Sequence, residues 1–121
     1  MERIKQFSCS VWHAFRGLTH AFRYEKNFQN EVVIAILVVI AMIYFPTSRL
    51  ENVALIGMIM AVLIMELVNT IFERVVDILK PRIHPYARII KDLMAAAVLI
   101  TAFVSIVIGI IIFYPYILEK F

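Results

Sequence analysis

Residues 66–77, ELVNTIFERVVD, carry three carboxylates and an Asn directly after ENVALIGMIMAVLIM (51–65), one of the most apolar runs of the chain. Successive residues of a helix turn by about 100°. On that wheel Asn69, Thr70, Glu73 and Asp77 all fall within about 60° of Glu66. Leu67, Val68, Ile71, Phe72, Val75, Ile78 and Leu79 occupy the other face. The stretch therefore reads as a membrane helix with one polar stripe. A carboxylate at mid-membrane costs about 2.5–3.5 kcal/mol, and less near the interface. One Asn would suffice to join helices by hydrogen bonding. Three carboxylates repel one another unless a metal or a basic partner sits among them.

The rest of the chain agrees with a membrane setting. Of its 121 residues 63% are hydrophobic, with mean hydropathy +0.89, whereas soluble domains are about half apolar. The length allows one domain. The net charge is +3, and the basic residues flank apolar runs, so the partner they suit is a membrane surface and not nucleic acid. The single cysteine, Cys9, excludes an internal disulfide. No cleavable signal peptide is expected, because the first 25 residues contain no unbroken apolar stretch.

Four helical segments are predicted. Ile4, Phe7, Val11, Phe15, Leu18 and Phe22 recur every three or four residues, giving an amphipathic surface helix over about residues 3–25 that lies flat at the bilayer interface. Three membrane helices follow, over about 27–46, 52–79 and 92–118, with a loop over about 80–91 bracketed by Pro81 and Pro85. Lys and Arg gather before residue 27 and between Arg74 and Lys91, while Arg49 and Lys120 stand alone in the other connecting and terminal segments. By the positive-inside rule the N-terminus and the 80–91 loop face the cytoplasm and the C-terminus faces outward. The expected location is the inner or plasma membrane of a bacterium.

Helical rise separates Glu66 from Glu73 by about 10.5 Å. The two are too far apart to grip one ion together, so a second metal ligand must come from elsewhere. No G-x-x-x-x-G-K-[ST] loop and no G-x-G-x-x-G or H-R-D set is present.

ELVNTIFERVVD followed by HPYARIIKDLMAAAVL (84–99) resembles the prokaryotic diacylglycerol kinase family, which includes undecaprenol kinases. The resemblance rests on Glu66, Asn69, Thr70, Glu73, Val76, Asp77, His84, Lys91 and Asp92, and upstream on HAFRGL (13–18) and RYEKN (23–27). It implies an all-α integral membrane protein assembling as a homotrimer, with sites shared between subunits. It also implies transfer of the γ-phosphoryl group of MgATP to the hydroxyl of a membrane lipid alcohol. By the same resemblance Glu66 is the general base, Asn69 orients the base or the lipid substrate, and Glu25 and Glu73 hold Mg2+. Lys91 neutralises phosphate oxygens, Asp92 orders ATP or its metal, and Asp77 and His84 line the outer end of the nucleotide. Two departures stand out. Gln6 occupies a position where relatives carry a basic residue, and Ile71 with Phe72 replaces the usual small residue after N-[ST]. Short segments (HAFRGL, NT and HP) favour undecaprenol over diacylglycerol. The rival classes are a small transporter with an intramembrane carboxylate, which would show four spans, and a non-catalytic scaffold.

Overall fold

The computed structural model describes residues 1–121 apart from the side chain of Ile83. The chain is all-helical. Its elements are α1 (Glu2–Tyr24), α2 (Lys26–Tyr44) and α3 (Arg49–Lys120). α2 packs on α3, and α1 packs chiefly on α2.

α1 and α2 meet at one extended residue, Glu25, with φ −100° and ψ 105°. Neither Gly nor Pro is involved. The break is held by side chains. The last carbonyls of a helix lack intrahelical donors, and here the Gln29 amide donates to the Phe22 and Arg23 carbonyls, at 2.8 and 3.2 Å. Phe28, only 2% exposed, meets Phe22 edge-to-face with ring centroids 5.1 Å apart, and Ala21 is buried nearby. The apolar side of α1, including Phe7, Trp12 and Phe15, stays exposed. A helix that leaves that face uncovered while carrying Arg16 and Arg23 has the pattern of an interfacial helix.

α2 has 19 residues, about 28 Å of helix, close to the roughly 30 Å hydrocarbon core. It stops at Phe45, which is extended because Pro46 follows. Ser48 then opens α3 with a capping box. Its hydroxyl accepts from the Glu51 N–H at 3.2 Å, and its own N–H donates to the Glu51 carboxylate at 2.9 Å.

α3 is helical from Arg49 to Lys120, 72 residues, yet it is not straight. Lys91 Nζ donates to Asp77 Oδ1 at 2.8 Å, and the Tyr116 hydroxyl donates to the Glu51 carboxylate. In a straight helix the first pair would lie about 21 Å apart and the second about 98 Å apart. The run therefore doubles back, and both pairs centre at the same place, next to His84. This makes two antiparallel arms, Arg49–Arg82 and His84–Lys120, each long and apolar enough to cross a membrane, as α2 is. The expected loop over 80–91 is thus helical on both sides of its reversal. Pro81 and Pro85 each remove one backbone donor and crowd the carbonyl four residues earlier, which weakens the helix where it folds over without ending it.

The architecture is that of a multi-pass membrane protein with an N-terminal amphipathic helix and three candidate spans. At the end opposite the reversal, Phe45 stacks near Phe113 and Tyr116, with centroids 5.9 and 6.2 Å away, and Lys120 Nζ lies 4.3 Å from the centre of the Tyr44 ring. Buried apolar residues are few: Ala21, Phe28, Leu55, Val76, Ala87 and Ile112. Most large apolar side chains face outward, as lipid-facing or copy-facing surfaces do.

Candidate active site

The polar stripe lies on the Arg49–Arg82 arm. Counted along the helix, Glu66 is about 25 Å and Glu73 about 36 Å from Arg49. An apolar layer of roughly 30 Å that starts near Arg49 would thus enclose Glu66 and leave Glu73 beyond it. Exposure follows the same division. Glu66 is 5% exposed and is the one buried charged residue among those described, whereas Glu73 and Asp77 are exposed.

Glu66 faces α2. Asn27, at the start of α2, presents its side chain to the carboxylate, and Glu31, Glu73 and Glu25 lie within charge–charge range of it. The Thr70 hydroxyl turns back to the Glu66 carbonyl at 3.0 Å, so it satisfies itself locally rather than at the carboxylate. Asn69 Nδ2 donates to Glu73 Oε1 at 3.3 Å. Two cations complete the cluster. Arg74 Nη2 meets Glu25 Oε1 at 2.6 Å, and Lys91 pairs with Asp77 across the two arms while sensing Glu73.

One chain therefore brings together Glu25, Glu66, Asn69, Glu73, Asp77 and Lys91. It does so through the one-residue α1–α2 junction and the reversal of α3. The other two expected residues stand apart. His84 sits at the reversal and is exposed, and Asp92 is exposed next to Lys91, turned about 100° from it. Asn27, Glu31 and Arg74 belong to the cluster and were not singled out by sequence. Asn27 and Glu31 are spaced i, i+4, the one available hint that they share a face toward α3. Nothing local marks Arg74 as the partner of a residue 49 positions away.

No group of three His, Cys, Asp or Glu residues among those described is close enough to hold a metal ion. Mg2+ prefers hard oxygen ligands, and keeps waters and phosphate oxygens beside one or two carboxylates. Glu25 and Glu73 offer such oxygens.

Below the cluster an apolar cleft of about 190 Å³ runs between the three spans, lined among others by Glu31, Leu55, Val62, Ser105, Gly109 and Phe113. Its one charged wall residue is Glu31, which also borders Glu66.

A buried carboxylate on a membrane-spanning arm, next to exposed acidic and basic side chains, is an arrangement that suits a membrane enzyme. The sequence agrees with known proteins on this point. The profile of the prokaryotic diacylglycerol kinase family matches residues 12–113, and the chain belongs to that family. It is 35% identical over 112 residues to the undecaprenol kinase of Bacillus subtilis (strain 168), covering 93% of this chain and 91% of that one. It is 32% identical over 95 residues to the diacylglycerol kinase of Escherichia coli (strain K12), covering 78% of each. To the diacylglycerol kinase of Haemophilus influenzae it is 29% identical over 106 residues, covering 87% and 90%. The protein is accordingly a lipid kinase, a phosphotransferase of the membrane, which sets aside the transporter and scaffold readings.

Proposed function

We propose that this kinase transfers the γ-phosphoryl group of MgATP to the hydroxyl of undecaprenol, with diacylglycerol as the second-ranked acceptor, and so serves lipid or envelope-carrier recycling. The observation that carries the reading is Glu66, 5% exposed within an apolar layer and bordered by Glu25 and Glu73. The choice of undecaprenol is supported by the 35% identity to an undecaprenol kinase.

A lipid hydroxyl arriving from the membrane reaches Glu66 before it reaches the exposed carboxylates. Glu66 accepts the hydroxyl proton as the oxygen attacks the γ-phosphorus. The bond between that phosphorus and the β–γ bridging oxygen breaks, and ADP leaves with the bridging oxygen. In phosphoryl transfer most of the catalytic work is positioning and charge neutralisation. Asn69, one turn from Glu66 and bonded to Glu73, links the base to the nucleotide end of the stripe. Lys91 offers its ammonium to phosphate oxygens, with Asp77 as its resting partner. Glu25 and Glu73 would hold Mg2+, which when bound neutralises phosphate charge. Asp92 orders ATP or its metal, and Asp77 and His84 line the outer end of the nucleotide. The lipid chain extends from Glu66 into the cleft between the spans.

The N-terminus and the α3 reversal lie in the cytoplasm, and the C-terminus lies outside the bacterial inner or plasma membrane. Three copies assemble, a reading supported by the largely exposed apolar faces of α2 and α3. Glu25 meets Arg74 within one chain, and the cleft also lies between spans of one chain, so a site shared between copies would draw the second carboxylate or the lipid entry from a neighbour. Mixed trimers of Glu25→Gln and Glu66→Gln chains test this. Recovered activity would place the two carboxylates of one site on different copies.

The deciding experiment uses purified protein in mixed micelles with γ-labelled ATP, magnesium, and undecaprenol, diacylglycerol or ceramide. Label is expected in undecaprenol first. Label in none of them, with folded protein, would overturn the substrate assignment.

A further inference from the structure

Arg74 has no assigned part in the reaction, yet it makes the shortest ion pair of the cluster. Its Nη2 lies 2.6 Å from Glu25 Oε1, and the two side chains differ sharply in exposure, 64% for Arg74 and 19% for Glu25. The carboxylate is held at the α1–α2 junction, while the guanidinium reaches it from α3 through solvent. If the pair opens, Arg74 is the partner that moves.

Charge gives it somewhere to go. Glu25, Glu31, Glu66 and Glu73 crowd one region, and among the described residues the ion-paired cations are Arg74 and Lys91 alone. A nucleoside triphosphate with one divalent ion remains an anion. No glycine-rich loop is available to cradle its phosphates, so side-chain cations must do so. The Arg fork fits carboxylate and phosphate oxygens equally well, two bonds at a time. Arg74 directly follows Glu73, so its Cα is only about 1.5 Å further along the axis, turned about 100°. Because Arg74 already touches Glu25 at 2.6 Å, a phosphate group bound beside Glu25 lies within reach of rotation of the Arg74 side chain.

We propose that Arg74 is an exchangeable counter-ion of the site. Without nucleotide its guanidinium neutralises Glu25, and when the nucleotide arrives with its divalent ion Arg74 releases Glu25 and turns to the phosphate oxygens. This rests on the MgATP reading above. The exchange keeps a carboxylate that must later meet a metal from repelling Glu66 and Glu73 while the site is empty. It also makes the divalent ion compete with Arg74 for Glu25 unless a phosphate draws the arginine away, so that metal and nucleotide bind best together.

The test compares unmutated protein with Arg74→Gln and Arg74→Lys in micelles, without turnover. Mn2+ binding is read by electron paramagnetic resonance in the absence of nucleotide, and a fluorescent, non-hydrolysable ATP analogue with Mg2+ is titrated separately. In Arg74→Gln, Mn2+ alone is expected to bind a few-fold tighter, because Glu25 is freed. The nucleotide is expected to bind on the order of tenfold more weakly, because a bond to a charged group is lost. Arg74→Lys, which keeps the charge without the fork, falls between. Both affinities unchanged would show an idle surface pair, and both weakened would show that Arg74 merely holds Glu25 in place. Both strengthened would show that Arg74 never touches phosphate. Each of these overturns the proposal. Failure of the unmutated protein to bind the nucleotide would count against the MgATP reading itself, and the Mn2+ measurement would still decide the Glu25 half.

Discussion

Replacing Glu66 by Gln tests the division of labour along α3. The change preserves shape and keeps an oxygen for the Asn27 side chain that faces it, so the helix contacts survive. What is lost is the ability to accept a proton, and general-base catalysis contributes about 10²- to 10⁴-fold in rate. That corresponds to a barrier higher by about 2.7–5.4 kcal/mol. The effect on nucleotide binding can be bounded from the same geometry. Glu66 lies about 10.5 Å along the axis from Glu73. Removing one negative charge at that distance, in surroundings close to water because Glu73 is exposed, changes the interaction by ~0.4 kcal/mol. Glu66 itself is buried, which only strengthens the interaction, so the nucleotide should bind at least about twofold tighter. Single-turnover transfer from γ-labelled ATP to undecaprenol reads the first quantity, and equilibrium binding of a fluorescent ATP analogue reads the second. A fall in rate below tenfold would remove Glu66 as the base. A parallel loss of nucleotide affinity would mean that Glu66 belongs to the metal site. Glu73→Gln is the matched control, and it should lower Mg2+-dependent nucleotide affinity at least tenfold.

Lys91→Met should raise KM for MgATP tenfold or more with little change in KM for the lipid, since the ammonium meets Asp77 and not the apolar cleft; steady-state kinetics with each substrate varied would show it. Ser48→Ala removes the acceptor for the Glu51 N–H and should cost about 1 kcal/mol, measured as a lower midpoint in denaturing-detergent unfolding. Gln29→Ala strips two exposed carbonyls at the end of α1 of their donor and should cost about 0.5–1.5 kcal/mol, read by the same unfolding curve. A membrane-impermeant thiol reagent should label a cysteine placed at Lys120 in intact cells and spare one placed at Arg82.

The spans were legible because unbroken apolar runs of membrane length leave little choice of structure. The stripe was legible because helical rotation alone puts Glu66, Asn69, Glu73 and Asp77 on one face. The segment from Lys80 to Lys91 was harder. Two prolines signal disruption, but a proline removes only one donor, and the residues between can keep their helical bonds while the axis turns. Pairings across long loops were not legible at all. Arg74 and Glu25 are brought together by the α1–α2 junction, and the burial of Glu66 depends on Asn27 and Glu31 arriving from another helix. In each case the deciding contact joins elements whose relative placement no local pattern encodes.

The break at Glu25 has a mechanical consequence. α1, with 23 residues, is a bar about 35 Å long pivoted at a single residue, and that residue also carries a carboxylate of the site. A 5° tilt moves the far end of the bar by about 3 Å and the carboxylate at the pivot by only ~0.3 Å. The Gln29 hydrogen bonds and the Phe22–Phe28 contact stand at the short end of that lever, so they fix the direction of α1 as well as the position of the Glu25 carboxylate.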